Sequence, residues 1–329
     1  MKTLLLTIAL SLGCNRQARE VVVYTSVDQP FSEPILRDFE RRSGIHVRAV
    51  YDTEETKSTG VLNRLIAEAN QPQADVFWSG DPVRPFLLVK RGLVERYRSP
   101  NAAAIPSQFK AADGTWTGFA ARARILLVNK KRVAPSEMPR SIRDLESPRW
   151  KGQTALANPL YGTTTMHVAA LFADLGVPAA SGFLGNLKAN GARIVGSNGE
   201  VKRLVAAGEL AFGLTDTDDA HEALEEKAPV EVVYPDQDGL GTLIMPTTVV
   251  LLRGGPHADA GRKLIDDLLT PEVEKRMAEA AAHMPLRADV ATPAGVRRVS
   301  ELRAMKVDYA ELGAVMERIQ PLLREWTGL

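Results

Sequence analysis

VVVYTSVDQPFSEPILRDFERRSGIHVRAVYD, residues 21–52, decides the fold. Its opening VVVYTS is a continuous, β-branched run, the pattern of a buried strand. Phe31, Ile35 and Phe39 then recur every four residues and give a helix one apolar stripe. Gly44 suits the position just past that helix, where a left-handed backbone costs glycine little. HVRAVYD alternates and reads as a second strand. Strand, helix, strand in this order begins a parallel sheet with helices packed on it.

Downstream the pattern continues. Leu62, Leu65, Ile66 and Ala69 share one face of a second helix, and ADVFW (74–78) is a third strand. Asp81 and Pro82 open a third helix as N-cap and first residue. The pattern weakens around 95–115, then WTGFAARARILLVNKK (116–131) is a long strand-like stretch and a Pro-rich connection fills 134–152. A second α/β unit follows. Its strands are TALANP, ARIVG (192–196) and ELAFGLT (209–215); its helices are TTTMHVAALFADLG and SNGEVKRLVAAG. EVVYP (231–235) and the apolar LIMPTTVVLL (243–252) come next, and the rest is mostly helical. A chain of 329 residues is too long for one ordinary core and suits two domains.

Upstream, MKTLLLTIALSLGC has Lys2, an apolar segment over residues 4–12, and Gly13-Cys14, the layout of a secretory signal over 1–13. Cys14 is the only cysteine, and its place resembles a bacterial lipobox, although Ser11 stands where leucine is usual. The expectation is a lipid on Cys14 with residues 14–20 as a tether; the other reading is an ordinary cleaved signal. One cysteine allows no internal disulfide. After the N-terminus no apolar run approaches the ~20 residues that span a bilayer. A net charge of +1 carries no electrostatic footprint for nucleic acid.

Enzyme motifs fail: there is no G-x-S-x-G, H-E-x-x-H, C-x-x-C or P-loop. DQDG (236–239) starts like a calcium loop, but Thr247 stands where the twelfth-position glutamate belongs. What recurs is a set of polar residues where strands hand over to helices. They are Ser26/Asp28, Thr56/Ser58/Thr59, Ser79/Gly80/Asp81, Thr163/Thr164/Thr165, Ser197/Asn198/Gly199 and Asp216/Asp218/Asp219. In an open parallel sheet such turns line the ligand crevice, and helix N-termini favour anions. Each turn alone reads first as a helix cap: Ser197 with Glu200 and Asp219 with Glu222 fit capping boxes. On that reading Asp219 caps a helix, while Asp216 and Asp218 precede the cap and meet the ligand.

In order and spacing, these segments resemble the extracellular solute-binding proteins of bacterial ABC importers, in the ferric-iron-binding-like branch of the type II periplasmic binding fold. The likeness runs through residues 21–47, ADVFWSGDP, FAARARILLVNKK, ESPRWKGQTALANP and AAHMPLRADV. It implies an α/β protein of two lobes, each a parallel-rich sheet flanked by helices, with a ligand cleft between them. Lobe one would take 21–120 plus 244–329 and lobe two 121–243, with crossings near Arg122 and residues 243–246. The implied function is capture of a small ligand by a monomer with no catalysis and no required cofactor, and delivery to a membrane permease. The implied place is the cell envelope, periplasmic or on the outer face of a membrane. The branch's iron ligands are a histidine, a glutamate and a tyrosine pair. Here Asp28 stands near the histidine, Gly80-Asp81 near the glutamate, and TDTDD replaces the tyrosines.

Asp28, Asp81, Asp216 and Asp218 are therefore the expected metal ligands for Fe(III) or a ferric chelate, with Tyr161 beside them. The competing ligand is a small anion such as a phosphonate or sugar phosphate. Ser26, Arg122, Arg124, Thr163, Thr164, Thr165, Ser197 and Asn198 would meet it. A polyamine held by the aspartates is a third reading, and an enzyme the last.

Overall fold

A computed structural model describes residues 19–52, 60–293 and 296–328. The signal segment, Cys14 and the turn with Thr56, Ser58 and Thr59 lie outside the described residues. In chain order come β1 (Glu20–Thr25), α1 (Gln29–Ser43), β2 (His46–Tyr51), α2 (Gly60–Ala67), β3 (Val76–Ser79), α3 (Val83–Lys90) and the short β4 (Val94–Glu95). The long β5 (Thr117–Asn129) leads to β6 (Thr154–Ala157), α4 (Gly162–Ala189), β7 (Arg193–Val195), α5 (Asn198–Ala206), β8 (Phe212–Asp216), α6 (Thr217–Glu225) and β9 (Val230–Val233). The chain returns through β10 (Ile244–Leu252) and ends in α7 (Ala258–Leu268), α8 (Pro271–Ala281) and α9 (Tyr309–Thr327).

The strands run in the order β2-β1-β3-β10-β5-β8-β6-β7, with β4 on β10 and β9 on β5. β1 is parallel to β2 and β3, and β6 is parallel to β7 and β8. The two middle strands break that pattern: β5 and β10 are antiparallel to each other and to β8 and β3. Residues 117–123 of β5 pair with β10, and residues 124–129 with β8 or β9. Each half-sheet, with its helices, is one lobe, and the two crossing strands join them. Arg122 faces Met245 and Ala123 faces Ile244 at the junction. Just before it the register slips between Pro246 and Thr247, and Ala120, at φ 45, is the unpaired extra residue.

Local chemistry explains the helices. α1 buries Ser32, Ile35, Leu36 and Phe39 but leaves Phe31 only partly covered, so the buried face is shifted toward Ser32 and Leu36 relative to the expected stripe. Gly44 ends α1 at φ 66 and donates its N–H to the Glu40 carbonyl. α4 is long and apolar enough to cross a membrane, but it kinks at Gly176 (φ 77) and packs in the protein against α9. α7 lies on β1 and β10, and α8 on α1 and β5. α9 packs on both α3 and α4, and the Trp326 indole N–H donates to the Leu184 carbonyl of α4 at 2.9 Å. Trp78 stacks on Phe119 with centroids 5.7 Å apart, both fully buried, beside the junction. Burying a ring of that size contributes about 1.5–3 kcal/mol.

Candidate functional site

Alternation along β5 puts Arg122 and Arg124 on one face, two residues apart. That face meets the end of β8 and the first turns of α4, α5 and α6 in lobe two. Arg124 has no exposure to water. Its Nη1 reaches Asp216 Oδ1 at 2.6 Å, Thr163 Oγ1 at 3.0 Å and Asn198 Oδ1 at 3.2 Å, and its Nη2 reaches Thr164 Oγ1 at 3.1 Å. The second Asp216 oxygen accepts from Thr163 Oγ1 at 2.9 Å and Asn198 Nδ2 at 3.2 Å. A buried ion pair holds only when its remaining hydrogen-bonding sites are filled, and here nearly all are. The cluster joins β5, β8, α4 and α5 into a floor. Asp216, Thr163 and Thr164 serve that floor.

Arg122 sits above it and joins the lobes. Its Nη2 donates to the Gly80 carbonyl in lobe one at 2.8 Å, and its Nη1 to Asp218 Oδ2 at 3.1 Å; Asp216 Oδ2 lies 3.8 Å away. Burial works against its charge, but Asp218 and Asp216 outweigh that and raise its pKa above the ordinary guanidinium value, with Asp28 contributing. His283 lies beside it; burial and the Arg122 charge press the imidazole down to about 3, so it is neutral. His167 is held at about 3 by burial and the Arg124 charge. Among the described residues, Arg122 Nε, Arg124 Nε, Asp218 Oδ1, Thr165 Oγ1 and His283 Nδ1 are buried without a hydrogen-bond partner. Unpaired buried donors and acceptors are rare, and each calls for an explanation such as a water, an ion or a bound solute.

The acidic turn differs from its expected form. α6 starts at Thr217, so Asp216 occupies the N-cap position and Asp219 lies in the first turn rather than at the cap. The apolar strand runs one residue further than expected, because Arg124 draws Asp216 into register opposite it. Asp219 Oδ2 accepts from Thr215 Oγ1 at 2.6 Å. Burial, then the charges of Asp218 and Asp216, push its pKa up to about 7. Carboxylate oxygens of Asp216, Asp218 and Asp219 lie within 4.8 Å of one another.

The other expected residues divide. Asp81 Oδ1 accepts the N–H groups of Val83 and Arg84 at 2.9 and 3.2 Å, and its Oδ2 pairs with Arg84 Nη1 at 3.1 Å. It holds the start of α3 from one residue further out than expected, since Pro82 occupies the N-cap position and Val83 is the first helical residue, and its charge partner is Arg84. Ser26 Oγ accepts the Gly80 N–H at 3.0 Å and so holds the loop whose carbonyl meets Arg122. Ser197 is an exposed cap, accepting the Glu200 N–H at 3.1 Å. Tyr161, 64% exposed, precedes the first turn of α4 with no bond to the network. Asp28 is close enough to act on both Arg122 and His283. Sequence reasoning missed His283, His167 and Arg84, which carry no motif; only the fold brings them near. A separate groove of about 610 Å³, lined by Phe86, Phe109, Trp116, Ile244, Met305 and Tyr309 among others, shares no residue with this site.

Residues 71–311 match the family model described as bacterial extracellular solute-binding protein. The chain belongs to that family. Its members are solute-binding receptors, and a site between two lobes is the geometry such a receptor needs. Iron uptake protein A1 of Synechocystis is 23% identical over 319 residues, 94% of this chain and 87% of the relative. A putative 2-aminoethylphosphonate-binding periplasmic protein of Salmonella typhimurium is 28% identical over 257 residues, 77% of this chain and 73% of the relative. The iron-bound HitA structure from Pseudomonas aeruginosa superposes with a TM-score of 0.83 at 23% identity, covering 94% of this chain and all of that one. That likeness fixes the fold as the two-lobed type II periplasmic binding architecture.

Proposed function

We propose that this solute-binding protein is the receptor of an ABC importer whose cargo is a small organic anion bearing a donor or amine, of the aminophosphonate class. One observation carries the reading: Arg122 Nε and Asp218 Oδ1, on the two groups of one ion pair, are both buried without partners. Arg122 offers donors to an anionic oxygen, and Asp218 accepts from a hydroxyl or ammonium group. A zwitterionic solute replaces both halves of the pair at once, and the first turn of α4 adds its positive end. The Salmonella relative named for 2-aminoethylphosphonate supports the class. A second reading, ferric iron or a ferric chelate, rests on the three crowded carboxylates and on the iron-named relatives. Iron bound there meets the guanidinium groups that already hold two of those carboxylates.

Calorimetric titration of ligand-stripped protein with 2-aminoethylphosphonate and with ferric citrate decides between them. For the aminophosphonate, Arg122→Met and Asp218→Asn each lower affinity more than tenfold. For iron, Asp218→Asn weakens binding and Arg122→Met strengthens it, because a repelling charge is gone. Binding of the phosphonate that neither substitution changes would overturn the proposed site. We further propose that Cys14 carries a lipid that tethers the receptor to a membrane. Its Ser variant then moves to the soluble fraction; retention in membranes like wild type refutes the anchor.

A further inference from the structure

Glu274 on α8 is fully buried and lies outside the charged network, yet it accepts three backbone hydrogen bonds. Oε1 takes the N–H of Ala120 at 2.9 Å and of Leu286 at 3.1 Å; Oε2 takes the N–H of Arg287 at 3.0 Å. Ala120 is the extra residue of the β5–β10 ladder: Phe119 faces Thr247 and Ala121 faces Pro246. A bulge leaves its extra residue outside the ladder, and a buried amide there must find another acceptor. Here the acceptor is Glu274. Ala120 also holds φ 45, a left-handed value that a non-glycine residue keeps only when its surroundings enforce it.

The bulge decides where the arginines lie. Side chains alternate along a strand, so one extra residue moves all that follow to the other face. With the bulge, Phe119 and Arg122 face Thr247 and Met245, two apart on β10, and share a side. In a regular ladder of the same sequence, Arg122 would face Ile244 and share the side of Gly118. The carboxylate also fixes the return segment: Ala121 and Met284 exchange backbone bonds at 2.9 and 2.6 Å, next to the His283 that flanks Arg122.

We propose that Glu274 is a positioning residue for the solute site: its carboxylate pins the bulge at Ala120, and the bulge turns Arg122 and Arg124 toward Gly80, Asp216 and Asp218. This rests on the reading that these arginines serve the solute, but its test needs no solute. Full-length protein labelled with ¹⁵N at arginine Nε gives one signal per side chain, and Arg122→Lys and Arg124→Lys assign the two. In Glu274→Gln the new amide meets backbone donors with a donor of its own. The Nε–H groups of Arg122 and Arg124 then exchange with water at least tenfold faster, while that of Arg84 is unchanged. Adding Ala120→Gly restores slow exchange, since glycine takes the left-handed value without enforcement. Unchanged exchange in folded Glu274→Gln overturns the proposal. Should that variant not fold, backbone exchange in the wild type decides: the Ala120 amide must be among the protected set, and exchange at exposed-loop rates overturns the role. Titrating the same wild-type sample with 2-aminoethylphosphonate keeps the two readings apart. Absence of binding counts against the solute class and leaves the arginine signals to judge Glu274.

Discussion

Arg124→Met would keep most of the packing and strand the Asp216 carboxylate in the interior, where it is 2% exposed. Breaking one half of a buried pair costs about 3–5 kcal/mol. Urea denaturation is expected to show a loss of that size, and Asp216→Asn added to Arg124→Met should recover part of it. A loss below ~1 kcal/mol would mean that water reaches Asp216. Asp219 supplies the pH-dependent counterpart. Its pKa is raised from 3.8 to about 7, so between those values the folded state binds a proton that the unfolded state has lost. Stability from this residue is therefore highest below pH 4, falls as pH rises toward 7, and is level above. Asp219→Asn keeps an acceptor for Thr215 and removes the charge. It is expected to stabilise the protein at pH 8 by at least ~1 kcal/mol and to be neutral at pH 4. Equal effects at both pH values would refute the crowding. Asp216 and Asp219 also show the reach of sequence reading: their types and turn were legible, their roles were not. The partner that sets Asp216's place is Arg124, 92 positions away, and no local pattern encodes that distance.

Elements were more legible where their cause was local. Asp81 with Pro82, Ser197 with Glu200 and Gly44 act as helix boundaries because caps depend on neighbours within a few residues. α6 began earlier than its capping-box signal implied, because the ladder to β5 carries β8 through Asp216. The bulge at Ala120 was invisible, since nothing in FAARA (119–123) marks the extra residue and its acceptor lies on α8. Caps and solute contacts can be separated by experiment. Ser197→Ala removes the acceptor for the Glu200 N–H and is expected to cost about 1 kcal/mol by thermal unfolding. Because Ser197 is exposed and points at its own helix, affinity for 2-aminoethylphosphonate should stay within twofold. A tenfold loss of affinity at unchanged stability would return Ser197 to the solute site.

At the scale of the whole molecule, three of the features that connect the lobes among the described residues are the crossing strands β5 and β10, the helix α9 that packs on both, and the Arg122 bridge from Gly80 to Asp218. The first two are covalent or apolar and persist as the lobes move. The third is a pair of hydrogen bonds from one charged group, each contributing about 1.5–3 kcal/mol when partly buried. It is thus the contact suited to break and re-form during hinge closure. A receptor that closes on its solute must gain little free energy by closing without it, or the solute cannot enter. On the proposed reading, Arg122 lends the closed form one bridge that the solute then takes over. Arg122→Met removes the bridge and leaves β5, β10 and α9 in place. Every 1.4 kcal/mol lost shifts the closed-to-open ratio about tenfold toward open. X-ray scattering of the solute-stripped variant is then expected to give a larger radius of gyration than wild type, at an unchanged midpoint of unfolding within a few degrees. An identical radius would show that strands and helix alone set the closure, and that Arg122 contributes only to the solute.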